Sequence, residues 1–217
     1  MMKSEIRSSF VPLTLGIVLV LVLAFPANAQ VGNNRDGILN PNLATQAELG
    51  ALPHLDAGQV QAILDGRPFA NMLEVNALLS SLSEARRAEL YARLFLPLNL
   101  NATTEEEILL VPGVGARMAH EFDEYKPYAH LAVFRREMGK YVDDEEVARL
   151  EQFVFVPVKL NAATDEDILT IPGLGNRMLR EFREYRPYTA IAEFRREMGK
   201  YVDDDEVARL ERYVVVD

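Results

Sequence analysis

The chain has 217 residues, with 33 acidic against 23 basic side chains, a net charge of −10 at neutral pH, and no cysteine. Without cysteine there is no disulfide, no thiolate zinc site, no thiol nucleophile and no lipid-attachment cysteine. The acidic balance argues against generic nucleic-acid affinity, which comes largely from Lys and Arg on phosphates, but where the charges sit counts for more than their sum.

The first residues read as an export signal. Lys3 and Arg7 are positive, an apolar run extends from Leu13 to Phe25, and Ala27-Asn28-Ala29 gives a small-x-small cleavage pattern before Gln30. The run is short of the roughly 20 residues that a membrane span needs, so an uncleaved anchor fits less well than a signal peptide. Residues 1–29 are expected to be removed between Ala29 and Gln30. A linker over 30–38 would follow, and the mature protein would be periplasmic or secreted, with no membrane span. Cleavage takes away Lys3, Arg7 and Glu5, which leaves 21 basic and 32 acidic residues, a net charge of −11.

The remainder is an internal repeat, the strongest signal in the chain. Residues 98–157 align with 158–217 without a gap, with 38 identities over 60 positions. FRREMGKYV recurs unchanged, and EFDEYKPY returns as EFREYRPY. A weaker first repeat covers 39–97, where NLATQAELGALPHLD matches NATTEEEILLVPGVG and LSEARRAELYARLFLP matches VDDEEVARLEQFVFVP.

Each repeat reads as four helices. Thr45, Thr104 and Thr164 stand where N-caps belong, with Glu48, Glu107 and Asp167 three residues on, a capping box in the first two repeats and a weaker one in the third. A short first helix follows, with Ile108, Leu109 and Val111 as its apolar face, and Pro112 breaks it. Two glycines then allow φ > 0 where the chain reverses. A second helix starts near Arg117 with Met118, Phe122 and Tyr125 inward, and ends at Lys126-Pro127 or Arg186-Pro187. A third is expected over about 129–138, stopping at Gly139. A fourth begins at the acidic run Asp143–Glu146, whose charge suits a helix N-terminus, and carries Val147, Leu150 and Phe153 or Val154 inward. The β-branched ends FVFVPV and YVVVD can pair as short strands or pack on the next repeat. Units of this size have thin cores and are expected to stack.

In these residues the chain resembles helix-hairpin-helix proteins of the ComEA-like, competence DNA receptor type. LNAATDEDILTIPGLG matches that family's Asn-rich opening, acidic first helix and Pro-Gly-apolar-Gly hairpin, and the resemblance covers every repeat. It implies an all-α fold of three tandem double helix-hairpin-helix units, and an exported or membrane-tethered protein that grips duplex DNA without sequence preference. RPYTAIAEF, the altered second hairpin and the β-branched end also resemble the extrinsic photosystem II subunit U, a double helix-hairpin-helix protein that binds proteins instead. A shared fold therefore does not choose between DNA and protein.

The hairpins differ in what they offer a phosphate. A grip needs exposed backbone N–H groups at a helix start, small residues around them and basic residues in the next turn. The third repeat meets this best, with Gly173, Leu174 as a core anchor, Gly175, Asn176 and Arg177. Arg177, Arg180, Arg183 and Arg186 then form a slanted stripe, with Glu181 and Glu184 beside it as potential neutralising partners. The second repeat keeps Gly113, Val114, Gly115 and Arg117 but dilutes its stripe with His120, Asp123 and Lys126. The first repeat has His54 and Asp56 in place of the glycines and reads as structural. The second hairpin of every repeat is degenerate, and in the second and third repeats an acidic run, MGKYVDDEE and MGKYVDDDE, occupies the helix start where phosphate would sit.

His54, His120 and His130 are scattered, and the acidic runs lack calcium-loop spacing, so no metal site is expected. The repeated tyrosines read as packing. No catalytic site, cofactor or small-molecule substrate is expected. The partner is either the duplex DNA backbone or, if the hairpins only connect helices, an envelope protein.

Overall fold

The computed structural model describes residues 37–217, so the expected signal peptide and linker residues 30–36 lie outside the described residues. The described chain is helix-rich. The first repeat contributes α1 (Gln46–Gly50), α2 (Ala57–Asp65), α3 (Met72–Leu78) and α4 (Glu84–Tyr91). The second contributes β1 (Leu98–Asn99), α5 (Glu105–Ile108), α6 (Ala116–Glu124), α7 (Leu131–Met138), α8 (Asp144–Glu151) and β2 (Val154–Phe155). The third contributes β3 (Val158–Lys159), α9 (Asp165–Leu169), α10 (Asn176–Glu184), α11 (Ile191–Met198), α12 (Asp204–Glu211) and β4 (Val214–Val215). Among the described residues no helix is long and apolar enough to cross a membrane.

The β-branched ends pair with the start of their own repeat. β1 runs parallel to β2, with Leu98 opposite Val154, and β3 runs parallel to β4, with Val158 opposite Val214. In the first repeat a single parallel bridge joins Leu39 to Leu94. Four helices therefore lie between two short strands that close on each other.

An asparagine fixes the inside of each repeat. The Asn101 carboxamide accepts from the Tyr128 N–H at 2.7 Å and donates to the Tyr128 carbonyl at 2.9 Å. Asn42 makes the same two bonds with Phe69, and Asn161 with Tyr188. The basic residue before each proline completes the tie. Lys126 Nζ donates to the Thr103 carbonyl at 2.6 Å, Arg186 to Ala163 at 2.9 Å, and Arg67 to Ala44 at 2.5 Å. The strand-like opening and the corner after the second helix are thereby held together across more than twenty residues of chain.

The caps depart from the sequence reading in the second repeat. Complete capping boxes form at Thr45 with Glu48 and at Thr164 with Asp167. Thr104 receives the Glu107 N–H, but the Glu107 side chain turns away. It is buried, accepting from the Met72 N–H at 2.8 Å and from Thr103 Oγ1 at 2.9 Å. The boundary between the first two repeats has recruited this carboxylate, whereas the shorter Asp167 stays at its own cap. Leu109, expected inward, is 44% exposed. α5 is a single turn, and Ile108 and Val111 already fill its inner side.

Side chains from the first two repeats form one hydrophobic cluster, from Ile38 to Val154, with Phe95 and Phe153 edge-to-face at 5.0 Å. The third repeat has its own cluster, from Val158 to Val214. It also reaches back to the first. Arg212 Nε donates to the Ala70 carbonyl at 2.7 Å and Nη2 to the Pro97 carbonyl, while its guanidinium lies 5.1 Å from the Phe155 ring centre and 5.3 Å from that of Tyr213. Asn40 Nδ2 donates to the Tyr213 hydroxyl at 3.3 Å.

Arg212 thus carries charge-assisted bonds and ring contacts that alanine removes together. Arg212→Ala is expected to lower unfolding free energy by about 2 kcal/mol, read as a lower urea midpoint of residues 30–217. An unchanged midpoint would show that the third repeat is held to the first by other means.

Candidate nucleic-acid interface

The short helices α5 and α9 end at Ile108 and Leu169, before Pro112 and Pro172, and the hairpins follow these prolines. After Pro112, Gly113 takes φ 82°, and after Pro172, Gly173 takes φ 78°. Only this first glycine of each pair is left-handed. Gly115 and Gly175 are extended N-caps, at φ −104°, so of the two glycines that allow positive φ only the first uses it. Between them Val114 packs against the core and Leu174 is buried, so each apolar residue anchors its turn.

The second glycine has a different use. A Cβ at Gly115 or Gly175 would meet nothing within 4 Å, so the fold does not require glycine there. With no side chain at the N-cap, the first-turn N–H groups of α6 and α10 have no side-chain cap. Among the described residues α7 and α11, with N-caps His130 and Ala190, also lack a side-chain cap, but the N-caps of α2, α8 and α12 are filled by carboxylates. Asp56 caps α2 in a reciprocal box with Gln59, and Asp143 and Asp203 accept from the N–H groups of Glu146 and Glu206. The degenerate hairpins are therefore closed to an anion by their own carboxylates, and the two Gly-x-Gly hairpins are open.

The basic stripe of α10 is divided by its partners. Arg183 donates to Asp165 at 2.8 Å, and Arg186 is consumed by the Ala163 carbonyl. Arg177 and Arg180 are exposed and, among the described residues, form no ion pair with Glu181, Glu184 or any other carboxylate. Asn176, the first residue of α10, is exposed beside them. In α6, Arg117 is likewise exposed and unpaired, while Lys126 is held by Asp123 and Thr103. The expected four-residue stripe thus reduces to Arg177 and Arg180 on one hairpin and Arg117 on the other.

Each open hairpin is braced from behind by a residue that the sequence reading passed over. Arg149 of α8 donates to the Pro112 carbonyl at 2.8 Å while Glu146 holds its guanidinium through two bonds of 2.6 Å. Arg209 and Glu206 do the same at Pro172, and Arg209 is 4% exposed. The repeated EVARLE carries the signal, a Glu and an Arg three apart on one helix face. In the first repeat the brace is inverted. Glu89 stands where Arg149 would, and His54 Nε2 lies 2.7 Å from its carboxylate. His54 is also the one non-glycine residue with positive φ, 68°, among the described residues.

Beside the open hairpins runs a tyrosine pair, Tyr125 to Tyr141 at 2.8 Å and Tyr185 to Tyr201 at 2.8 Å. Hydrogen bonding to Glu121, then to Tyr125, then burial hold the Tyr141 hydroxyl well above its ordinary range, so it stays neutral. Tyr128 and Tyr188 pack, as expected, with ring centres 5.9 Å from those of Phe134 and Phe194. No family model, no curated protein and no solved structure matches the chain.

The two glycines of one hairpin should respond oppositely to a methyl group. Gly113→Ala forces a left-handed alanine, 3.3 Å from Arg149 Nη2, and is expected to cost about 1–2 kcal/mol. Gly115→Ala is expected to stay within about 0.5 kcal/mol of the parent, both read from thermal melts.

The brace should fail in acid. Its hydrogen bonds to Arg149 hold the Glu146 carboxyl below its ordinary value. A depressed carboxylate stabilises above its unfolded value, about 4.3, and loses that contribution as pH falls through the lower folded value. The stability difference between the parent and Glu146→Gln should be full near pH 6 and shrink below about pH 4. A pH-independent difference would remove ionisation from the account.

Proposed function

We propose that the chain is built as three tandem double helix-hairpin-helix units, at 39–97, 98–157 and 158–217, and that it is an exported, non-catalytic protein binding duplex DNA without sequence preference. One observation carries this reading: Arg177, Arg180 and Arg117, exposed and without an ion pair among the described residues, stand in the opening turns of the two helices whose glycine N-caps leave them uncapped. Phosphate oxygens would be received by the first-turn N–H groups of α10 and α6, with Arg177, Arg180 and Arg117 adding charge. Because only the second and third units offer an open hairpin, one each, the two strands of a duplex would be engaged by these two units together. The first unit, with its self-capped α2, serves as structural support.

A second reading is favoured by the closed N-termini at Asp56, Asp143 and Asp203 and by the net negative charge. In it the chain is a periplasmic or surface scaffold whose acidic faces meet a basic protein. Titration of residues 30–217 against a short labelled duplex at several salt concentrations separates the two. DNA binding predicts micromolar or tighter affinity at low salt, with a log–log slope set by a few phosphates. Arg177→Ala/Arg180→Ala should weaken it about tenfold or more with the melting temperature unchanged. No binding at low salt would leave the protein-partner reading.

A further inference from the structure

Beside the hairpin of the second repeat lies a cavity of about 240 Å³, lined by Gly115, Arg117, Met118, Glu121 and Tyr141. Glu121 is 9% exposed, and its Oε2 is buried with no hydrogen-bond partner. The neighbouring Tyr141 hydroxyl is bonded to that of Tyr125 at 2.8 Å, and neither reaches this oxygen. A buried carboxylate oxygen without a donor is costly, which marks it as an acceptor waiting for a group from outside.

The two ends of the cavity ask for opposite chemistry. At the Gly115 end, uncapped N–H groups and the unpaired Arg117 favour an anion. At the Glu121 end the carboxylate accepts hydrogen bonds only. Six residues of helix separate Gly115 from Glu121, a rise of about 9 Å. The adjacent charges of a free amino acid do not span that separation. A nucleotide does, with its phosphate at one end and the pairing edge of its base at the other. Guanine presents two neighbouring N–H donors on that edge, which a carboxylate accepts side by side, and Met118 and the Tyr141 ring offer apolar surface for its faces.

The same constellation recurs. Gly175, Arg177, Met178, Glu181 and Tyr201 stand at the matching positions of the third repeat, and Glu181 Oε2 is again buried without a partner. The first repeat, whose hairpin is closed, has Asp56, Gly58, Gln59, Ala62 and Ser81 at those positions.

We propose that the cavity at Gly115, Arg117 and Glu121 receives an unpaired guanine of a bound strand, phosphate on the α6 amides and pairing edge on Glu121. The proposal rests on the DNA reading and adds base recognition at strand ends or gaps to a grip that ignores sequence within a duplex.

Residues 30–217 would be titrated with one blunt duplex and with the same duplex carrying a three-nucleotide overhang of dG, dA, dC or dT. The dG overhang should bind about tenfold tighter than the other three. Glu121→Gln/Glu181→Gln should abolish that preference while blunt-duplex affinity holds. Equal affinity for all four overhangs, or a guanine preference that survives in the double variant, overturns the proposal. Amide spectra of the parent protein titrated with dGMP and with dAMP provide a readout that needs neither a duplex nor a variant. Shifts at Gly115 and Gly175 with dGMP alone would support the guanine site even if the blunt duplex fails to bind and the duplex reading falls. Identical responses to both nucleotides would sink the guanine site even if the duplex binds.

Discussion

The structure depends first on one carboxamide per repeat. Asn42, Asn101 and Asn161 each hold both backbone groups of the aromatic residue after the proline corner, Phe69, Tyr128 and Tyr188. Two bonds from one planar group fix position and orientation together, which a single bond cannot do. They set the angle between the opening of the repeat and the end of its second helix, and so the shape of the hairpin lying between them. Arg67, Lys126 and Arg186 reinforce the same joint by capping carbonyls. A residue that looks like part of a cationic stripe in the sequence is here a strut.

That distinction marks what the sequence could and could not tell. The Thr caps, the Pro-Gly turns, the acidic starts of α8 and α12 and the burial of Leu174 follow from local chemistry, and local chemistry is visible in a string of residues. The fates of Arg183 and Arg186 depend on Asp165 and Ala163, eighteen and twenty-three residues away. Glu107 left its capping box for Met72, across a repeat boundary no periodicity announces. The bracing roles of Arg149 and Arg209 are not legible because their targets are carbonyls, and every residue carries a carbonyl: pairing of that kind has no compositional signature. The open state of the hairpins, by contrast, was legible, because glycine at an N-cap position is itself the absence of a cap.

The first repeat shows how such a site is closed without dismantling the fold. His54 stands at the left-handed position where the other repeats have glycine, and Glu89 where they have the bracing arginine, so an imidazole held by an anion takes the place of a neutral turn held by a cation. Asp56 fills the N-cap that Gly115 and Gly175 leave empty. His is among the residues that tolerate the left-handed region, so the backbone path survives. The change touches the hairpin and its brace together, while the Asn42 joint beneath them is unaltered.

The parallel pairing of each repeat's first residues with its last has a consequence for how such a chain can grow. Because β1 bonds to β2 and β3 to β4, the boundary at Pro157 is crossed by no strand ladder. Sixty residues can be copied in register from that boundary, and every hydrogen bond of the ladder travels with the copy. What does not travel is the reach of Arg212 to Ala70 and Pro97, which ties the third repeat to the first. A copied sixty-residue segment would thus keep its own ladder, while the two carbonyls that Arg212 holds stay behind in residues 39–97.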